Sequence, residues 1–190
     1  FQHLEKARGF KRDKPILLIH ANGGSPPQPD QENPQTYGWC RDLPKKIVQK
    51  VVDELNGRYH IIQVGYHQDQ VIEGCEVLQN LNEMEAFAVL KATNKRLLID
   101  SCLQHAAGAM NMESTVCWIG NDPVVWSYTC HDHILPSVER KFSAPSHDLY
   151  QQFDIASASD QYPYDTDLIF DVGELVKSIE SQYYETDLFE

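Results

Sequence analysis

The chain has 190 residues, 42% hydrophobic and 23% charged, enough for one large domain or two small ones around a real core. Its formal net charge of −12 excludes a broad electrostatic grip on nucleic acid or anionic lipid, while leaving room for a small basic pocket that takes one phosphorylated ligand. No apolar run approaches the ~20 residues of a membrane span, and five cysteines without CxxC spacing exclude a disulfide framework or zinc ribbon and point to the reducing cytoplasm.

Residues 1–14, FQHLEKARGFKRDK, read as a connector entered from an upstream domain, and residues 15–190 as one binding domain. Pro15–His20, PILLIH, is a short unbroken apolar run of the kind found in strands buried on both faces. A long loop rich in proline and glycine follows, and loops of that length inside a compact domain are functional or disordered. Asp42 has the chemistry of an N-cap, with Pro44 in the first turn and Leu43, Ile47, Val48, Val51, Val52 and Leu55 along one helical stripe. Tyr59–Val64 predicts a second strand and Val77-Leu78 a very short third. Asn82 and Glu85 have capping-box spacing ahead of a helix that runs to Thr93. Arg96–Ile99 is the next strand, Ser101–Met110 the next helix and Ser114–Ile119 another strand. After Pro123 the pattern weakens, and residues 143–165 read as a polar surface excursion. Asp171 and Glu174 then repeat the capping-box spacing before a C-terminal amphipathic helix near 171–183. The alternation predicts an α/β fold, a Rossmann-like parallel sheet flanked by helices.

The chemistry gathers where the fourth strand stops, in IDSCLQHAAGAMNM, Ile99–Met112. In open α/β sheets ligands bind beyond the carboxyl ends of the strands, where helix N-termini turn free N–H groups outward. Ser101 has the cap position, and Gln104 three residues on would complete a reciprocal cap. The N–H groups of Cys102, Leu103 and Gln104 would then face the crevice. His105 lies one turn higher on the same face, placed either to meet a phosphate oxygen or to bond back to Asp100. The small residues Ala106–Ala109 let the helix lie close on the sheet. The competing reading is a plain helix cap on an alanine-rich packing helix.

The block LLIDSCLQHAAGAMNMESTVCWIGNDP resembles the signature of the heptosyltransferase family of ADP-heptose-type glycosyltransferases. Asp100, Ser101, His105, Ala107, Gly120 and Pro123 fall in its register. PILLIHANGG, YGWCRDLPKKIVQKVV and HIIQVG are similar to segments of the same family's C-terminal domain, so the likeness spans roughly Pro15–Pro123. The resemblance implies the C-terminal half of a GT-B fold that binds a nucleotide-diphosphate sugar. The activity implied is sugar transfer, heptose being one candidate, to an acceptor hydroxyl. Asp100, Ser101, Cys102, Leu103 and His105 would cradle the diphosphate, with Gly23, Gly24, Tyr37 and Arg41 around the donor loop. No cofactor or metal is implied. Cys102 stands where the family has glycine, and Tyr37 where it has a basic residue that Arg41 would replace. The catalytic base and the acceptor site would belong to an N-terminal domain or subunit. A degenerate, non-catalytic binding or scaffolding module and a GT-B nucleotide-sugar epimerase are the alternatives.

Other groups carry weaker signals. Cys130–His133, CHDH, has the residue types of a metal cluster but lacks a spaced third ligand, and reads equally as a polar loop. His20 ends the first strand on the ligand-bearing edge, where a backbone bond is the commoner use of such a residue. Asp69, Glu73 and Glu76 are candidates for a ribose contact against solvated surface charge. Trp39 is a candidate for base stacking against simple packing. Cys75 and Cys117 read as small core hydrophobes. GxSxG, Walker A and GxGxxG motifs are absent, which leaves hydrolase, NTPase and NAD readings without support.

Overall fold

A computed structural model describes residues 13–23, 41–65, 70–137 and 165–183. Gly24, Tyr37, Trp39, Asp69, nearly all of the proposed connector and nearly all of the polar excursion lie outside the described residues. The strands are β1 (Ile16–Ile19), β2 (His60–Gly65), β3 (Glu76–Gln79), β4 (Lys95–Ile99), β5 (Thr115–Cys117) and β6 (Asp132–Ile134). The helices are α1 (Lys45–Leu55), α2 (Glu83–Lys91), α3 (Cys102–Ala109), α4 (Pro123–Trp126) and α5 (Val172–Ser181).

The strands form one sheet in the order β3-β2-β1-β4-β5-β6, with every neighbouring pair parallel. This is the strand order of a doubly wound Rossmann sheet, and its order reverses between β1 and β4. Both faces are covered, which is why β1 is apolar at every position. Leu17 and Ile19 join Leu97, Ile99 and Cys117 under α1 and α5. Ile16 and Leu18 join Ile62, Leu98, Val116 and Trp118 under α2 and α3. Side chains alternate between faces at each residue, so four consecutive apolar residues feed two separate cores. Cys117 is buried and Cys75 packs at the margin of the first core, as their apolar settings suggested. Among the described residues no helix is long and apolar enough to cross a membrane.

Local signals set most boundaries. Asn82 and Glu85 form the reciprocal capping box of α2, and the Asp171 carboxylate accepts the Glu174 N–H at 2.8 Å to start α5. Asn111 ends α3 in the left-handed region at φ 52, which lets the Met112 N–H reach the Ala107 carbonyl at 2.9 Å. Asp42 departs from expectation. The cap position of α1 is taken by Pro44, without a side-chain cap. Asp42 instead accepts the backbone N–H of Gly23 at 2.7 Å and the Asn22 amide at 3.2 Å. Tertiary contact with the loop after β1 outcompetes the local cap. The segment after Pro123 also holds more structure than its polarity suggested. Asp122 caps α4 with Pro123 in its first turn, and β6 adds a sixth strand beside β5.

The C-terminal helix is stitched to the sheet by one buried amide. The Gln182 side chain accepts the Arg96 N–H at 2.9 Å and donates to the Arg96 carbonyl and the Thr115 hydroxyl, each at 2.8 Å. It supplies the donor and acceptor that a neighbouring strand would otherwise provide. Gln182→Ala would take this partner from the buried Arg96 N–H and carbonyl, while the Thr115 hydroxyl keeps Ser178 at 2.7 Å, and urea denaturation should show a loss of about 2–3 kcal/mol. On the opposite face the Tyr128 ring lies against Gly108 of α3, where an added Cβ would overlap it. Alanine in an open helix interior gains about 1 kcal/mol over glycine. Gly108→Ala should therefore destabilise the wild-type chain yet stabilise the Tyr128→Ala variant, a reversal of sign readable by thermal denaturation.

Candidate functional site

The crevice between the carboxyl ends of β1 and β4 assembles from three segments. From β1, the backbone N–H of His20 bonds the Leu97 carbonyl at 2.9 Å, which carries the chain over the sheet edge into Ala21, Asn22 and Gly23. From the entry to α1, the Leu43 N–H bonds the Ala21 carbonyl at 2.9 Å, while Asp42 clamps the Gly23 amide. From β4 come Asp100 and Ser101, followed at once by α3.

Ser101 occupies the N-cap of α3 with extended backbone, but its hydroxyl does not cap the helix. It bonds Nδ1 of His20 at 2.9 Å instead. The reciprocal cap expected with Gln104 is therefore not formed. Gln104 is fully buried and donates its amide to the Trp126 carbonyl at 3.0 Å. The competing partners win because α3 lies against α4 and β1 lies beside β4, neither of which is visible within the turn itself. The N–H groups of Cys102 and Leu103 make no hydrogen bond among the described residues. The Cys102 side chain is exposed, and Leu103 is buried in the second core.

His20 is only 8% exposed. Burial, reinforced by the Arg41 charge, pulls its imidazole down to about 4, so the ring is neutral at physiological pH. Its Nε2 makes no hydrogen bond among the described residues. The expected backbone partner for this side chain is replaced by a hydroxyl. Arg41 is half-buried, with its guanidinium carbon 3.7 Å from the Cβ position of Gly23. No hydrogen bond or ion pair engages Arg41 among the described residues, although it faces a histidine rather than a carboxylate. Gly23 itself packs against Ile99, where a Cβ would sit 3.2 Å from that side chain.

Asp100 is held by the Asn121 amide from the turn after β5. His105 does not reach Asp100. Its Nδ1 pairs with the Tyr128 hydroxyl at 3.3 Å, and the two rings meet edge to face at 5.7 Å. Cys130–His133 is a packing cluster. The His131 Nε2 bonds the Gln104 carbonyl at 3.0 Å, and burial holds that imidazole below its usual range. His133 sits beside the Ser127 hydroxyl at 3.2 Å, with its ring 6.4 Å from that of His131. Among the described residues no group of three or more His, Cys, Asp or Glu could hold a metal ion. Glu76 pairs with His60 at 2.8 Å where β3 begins, and the Glu73 backbone is tied to Gln49. Glu76 opens β3, at the opposite edge of the sheet from the strand ends that form the crevice, and Glu73 is held in the β2–β3 crossover.

Asp100, Ser101, Cys102, Gly23 and Arg41 thus gather around one crevice, with His105 a turn above. His20, noted on that edge but expected to bond backbone, completes it together with Asp42 and Asn121, which were not singled out as its partners. Two apolar strands that each end in a polar residue were the available signal, but it needs the β1–β4 adjacency to be read.

No protein-family model and no curated protein matches the sequence. Solved structures do match. E. coli ADP-heptose LPS heptosyltransferase II superposes with a TM-score of 0.54 at 12% identity, over 80% of this chain and 50% of that protein. A glycosyl transferase family 9 protein from Veillonella parvula gives 0.59 at 14% identity, over 95% and 49%. The dodecameric iron-containing heptosyltransferase TibC, in complex with ADP-D-beta-D-heptose, gives 0.50 at 14%, over 90% and 45%. The chain spans about half the length of each of these proteins. The likeness to heptosyltransferases carried by the Asp100–Pro123 block thus holds at the level of structure: this chain has the parallel α/β fold of these glycosyltransferases.

Proposed function

We infer that this chain is the nucleotide-sugar-binding half of a GT-B glycosyltransferase, and that the crevice between β1 and β4 takes the donor's diphosphate. One observation carries the reading. At the point where the strand order reverses, two helix N-terminal amides and an arginine that have no hydrogen-bond or anionic partner among the described residues lie beside Gly23. Anions are stabilised at a helix N-terminus by its free N–H groups and dipole. A guanidinium offers a planar fork to phosphate oxygens. In this reading Cys102 and Leu103 donate main-chain hydrogen bonds, and Arg41 supplies the charge that Tyr37 lacks. Gly23, with Gly24 beyond it, lets the donor approach the backbone. Asp100 fixes the turn through Asn121, and His105 supports it through Tyr128.

Catalytically, the same donors stabilise the negative charge that builds on the leaving diphosphate as the glycosidic bond breaks. The general base and the acceptor site belong to a partner domain or subunit. The sugar is a heptose by analogy with the ADP-heptose named for two of the structural neighbours. A reducing cytoplasm suits the free thiols of Cys75, Cys102, Cys117 and Cys130.

Calorimetric titration of the chain with ADP should give saturable binding, and Arg41→Gln should weaken it about tenfold or more, the worth of a lost charge-assisted contact. A folded chain that ignores millimolar ADP would sink the reading. The pH dependence follows from His20. Its folded value near 4 lies below the unfolded 6.5, so protonation favours the unfolded chain. Stability should be full above pH 6.5, fall by about 3 kcal/mol between pH 6.5 and 4, and level off below that as far as this group is concerned. His20→Asn should lack this component in denaturation series at pH 7 and pH 4.5, and NMR titration of the wild-type imidazole should find its midpoint near 4.

A further inference from the structure

A serine at an N-cap normally turns its hydroxyl onto the amides of its own helix, because that satisfies an orphan donor within one turn at little entropic cost. Ser101 has the cap position and the extended backbone for this, yet its hydroxyl is engaged by His20 from the neighbouring strand. A cap would take the N–H of the second or third helical residue, Leu103 or Gln104; among the described residues the amides of Cys102 and Leu103 make no hydrogen bond. Two further features at the same place have no partner among the described residues: the Nε2 of His20, on a residue more than nine-tenths buried, and the Arg41 guanidinium beside Gly23. A fold that needed only a stable helix start would have capped it. Here the side-chain cap is absent, and the amides of Cys102 and Leu103 have no partner among the described residues.

We propose that His20 is a positioning residue that withholds the Ser101 hydroxyl from its own helix, so that the first amides of α3 stay open to the diphosphate of a nucleotide ligand. The proposal rests on the donor-binding reading above. Its physical content is a competition. One hydroxyl has two partners, an imidazole nitrogen across the β1–β4 seam or an amide two or three residues along its own chain, and the cross-strand partner wins. Neutrality matters for the same reason. An uncharged ring accepts from or donates to a hydroxyl without repelling Arg41, so both can occupy one crevice. The helix gives up its side-chain cap, and the crevice keeps donors already fixed in place.

The test separates this role from mere packing and from the donor reading itself. In the ligand-free 190-residue chain, His20→Ala should release Ser101, and hydrogen exchange at the Leu103 and Gln104 amides should slow about fivefold or more as the cap forms. A merely structural histidine predicts faster exchange, and unchanged or faster exchange overturns the proposal whether or not any nucleotide binds. With ADP as the probe, His20→Ala should weaken binding about five- to tenfold. In a Ser101→Ala background the same change should cost less than twofold, because no hydroxyl remains to turn onto the helix. Equal losses in both backgrounds overturn the proposal. His20→Asn, whose amide nitrogen reaches as far as Nδ1, should recover most of the lost affinity. Should His20→Ala unfold, His20→Leu fills the same buried volume without a nitrogen and carries both comparisons. If the wild-type chain fails to bind ADP, the donor reading falls, while the exchange result still decides whether His20 holds Ser101 off its helix.

Discussion

The hydrogen bond between His20 and Ser101 spans the one seam of the sheet where neighbouring strands lead away in opposite directions. On one side of it the chain winds outward through β2 and β3, on the other through β5 and β6. At such a reversal the crossovers lead away to opposite sides, which is where open α/β sheets place their ligand crevice. Ala21–Gly23, the Asp42 clamp, Arg41 and the start of α3 are all placed by their relation to that seam. A shift of β4 by one residue against β1 would move Ser101 off His20 and exchange the two faces of the strand. The register that holds the core therefore also holds the crevice.

That coupling makes the site rigid at modest cost. The strands beneath it are fully buried on both faces, with Leu17, Leu18, Ile19 and Leu97–Ile99 split between two cores. The surrounding turns are tied down by side chains rather than by regular structure: Asp42 to Gly23, Asn121 to Asp100, Gln104 to Trp126. Each tie reaches between elements far apart in sequence. Donors that are fixed before a ligand arrives lose little entropy on binding, which is the physical value of such ties to the donor site proposed above.

The cluster of His105, Tyr128, His131 and His133 has a different character. Its rings meet edge to face at 5.7–6.4 Å and satisfy one another, the Gln104 carbonyl and the Ser127 hydroxyl. These residues look like metal chemistry in the sequence because histidine, cysteine and aspartate are adjacent. In space they form an aromatic packing layer between α3 and the turn that follows α4. Tyr128 fits there only because residue 108 has no side chain. The small residues of α3 thus serve its contacts with the sheet and also with this layer.

Periodicity and caps alone determined the parallel α/β class, the order of elements up to Cys117 and the two helix starts at Asn82 and Asp171. These depend on alternation of faces and on hydrogen bonds three residues apart, both of which are written locally. The polar ending of β4 was likewise legible as a turn at the carboxyl edge of the sheet that leads into a helix. Tertiary structure decided what each polar group does. Asp42, Ser101 and Gln104 all carry local cap chemistry, and all three abandon it for partners 19, 81 and 22 residues away. The β6 strand was hidden for a related reason, since Asp132–Ile134 is short and mixed in polarity and exists only because β5 offers it a parallel neighbour. A capping motif states which bonds a turn can make by itself. Which bond forms depends on whether the sheet brings a stronger or better-buried partner alongside, and that is set by strand order, which no short stretch of residues encodes.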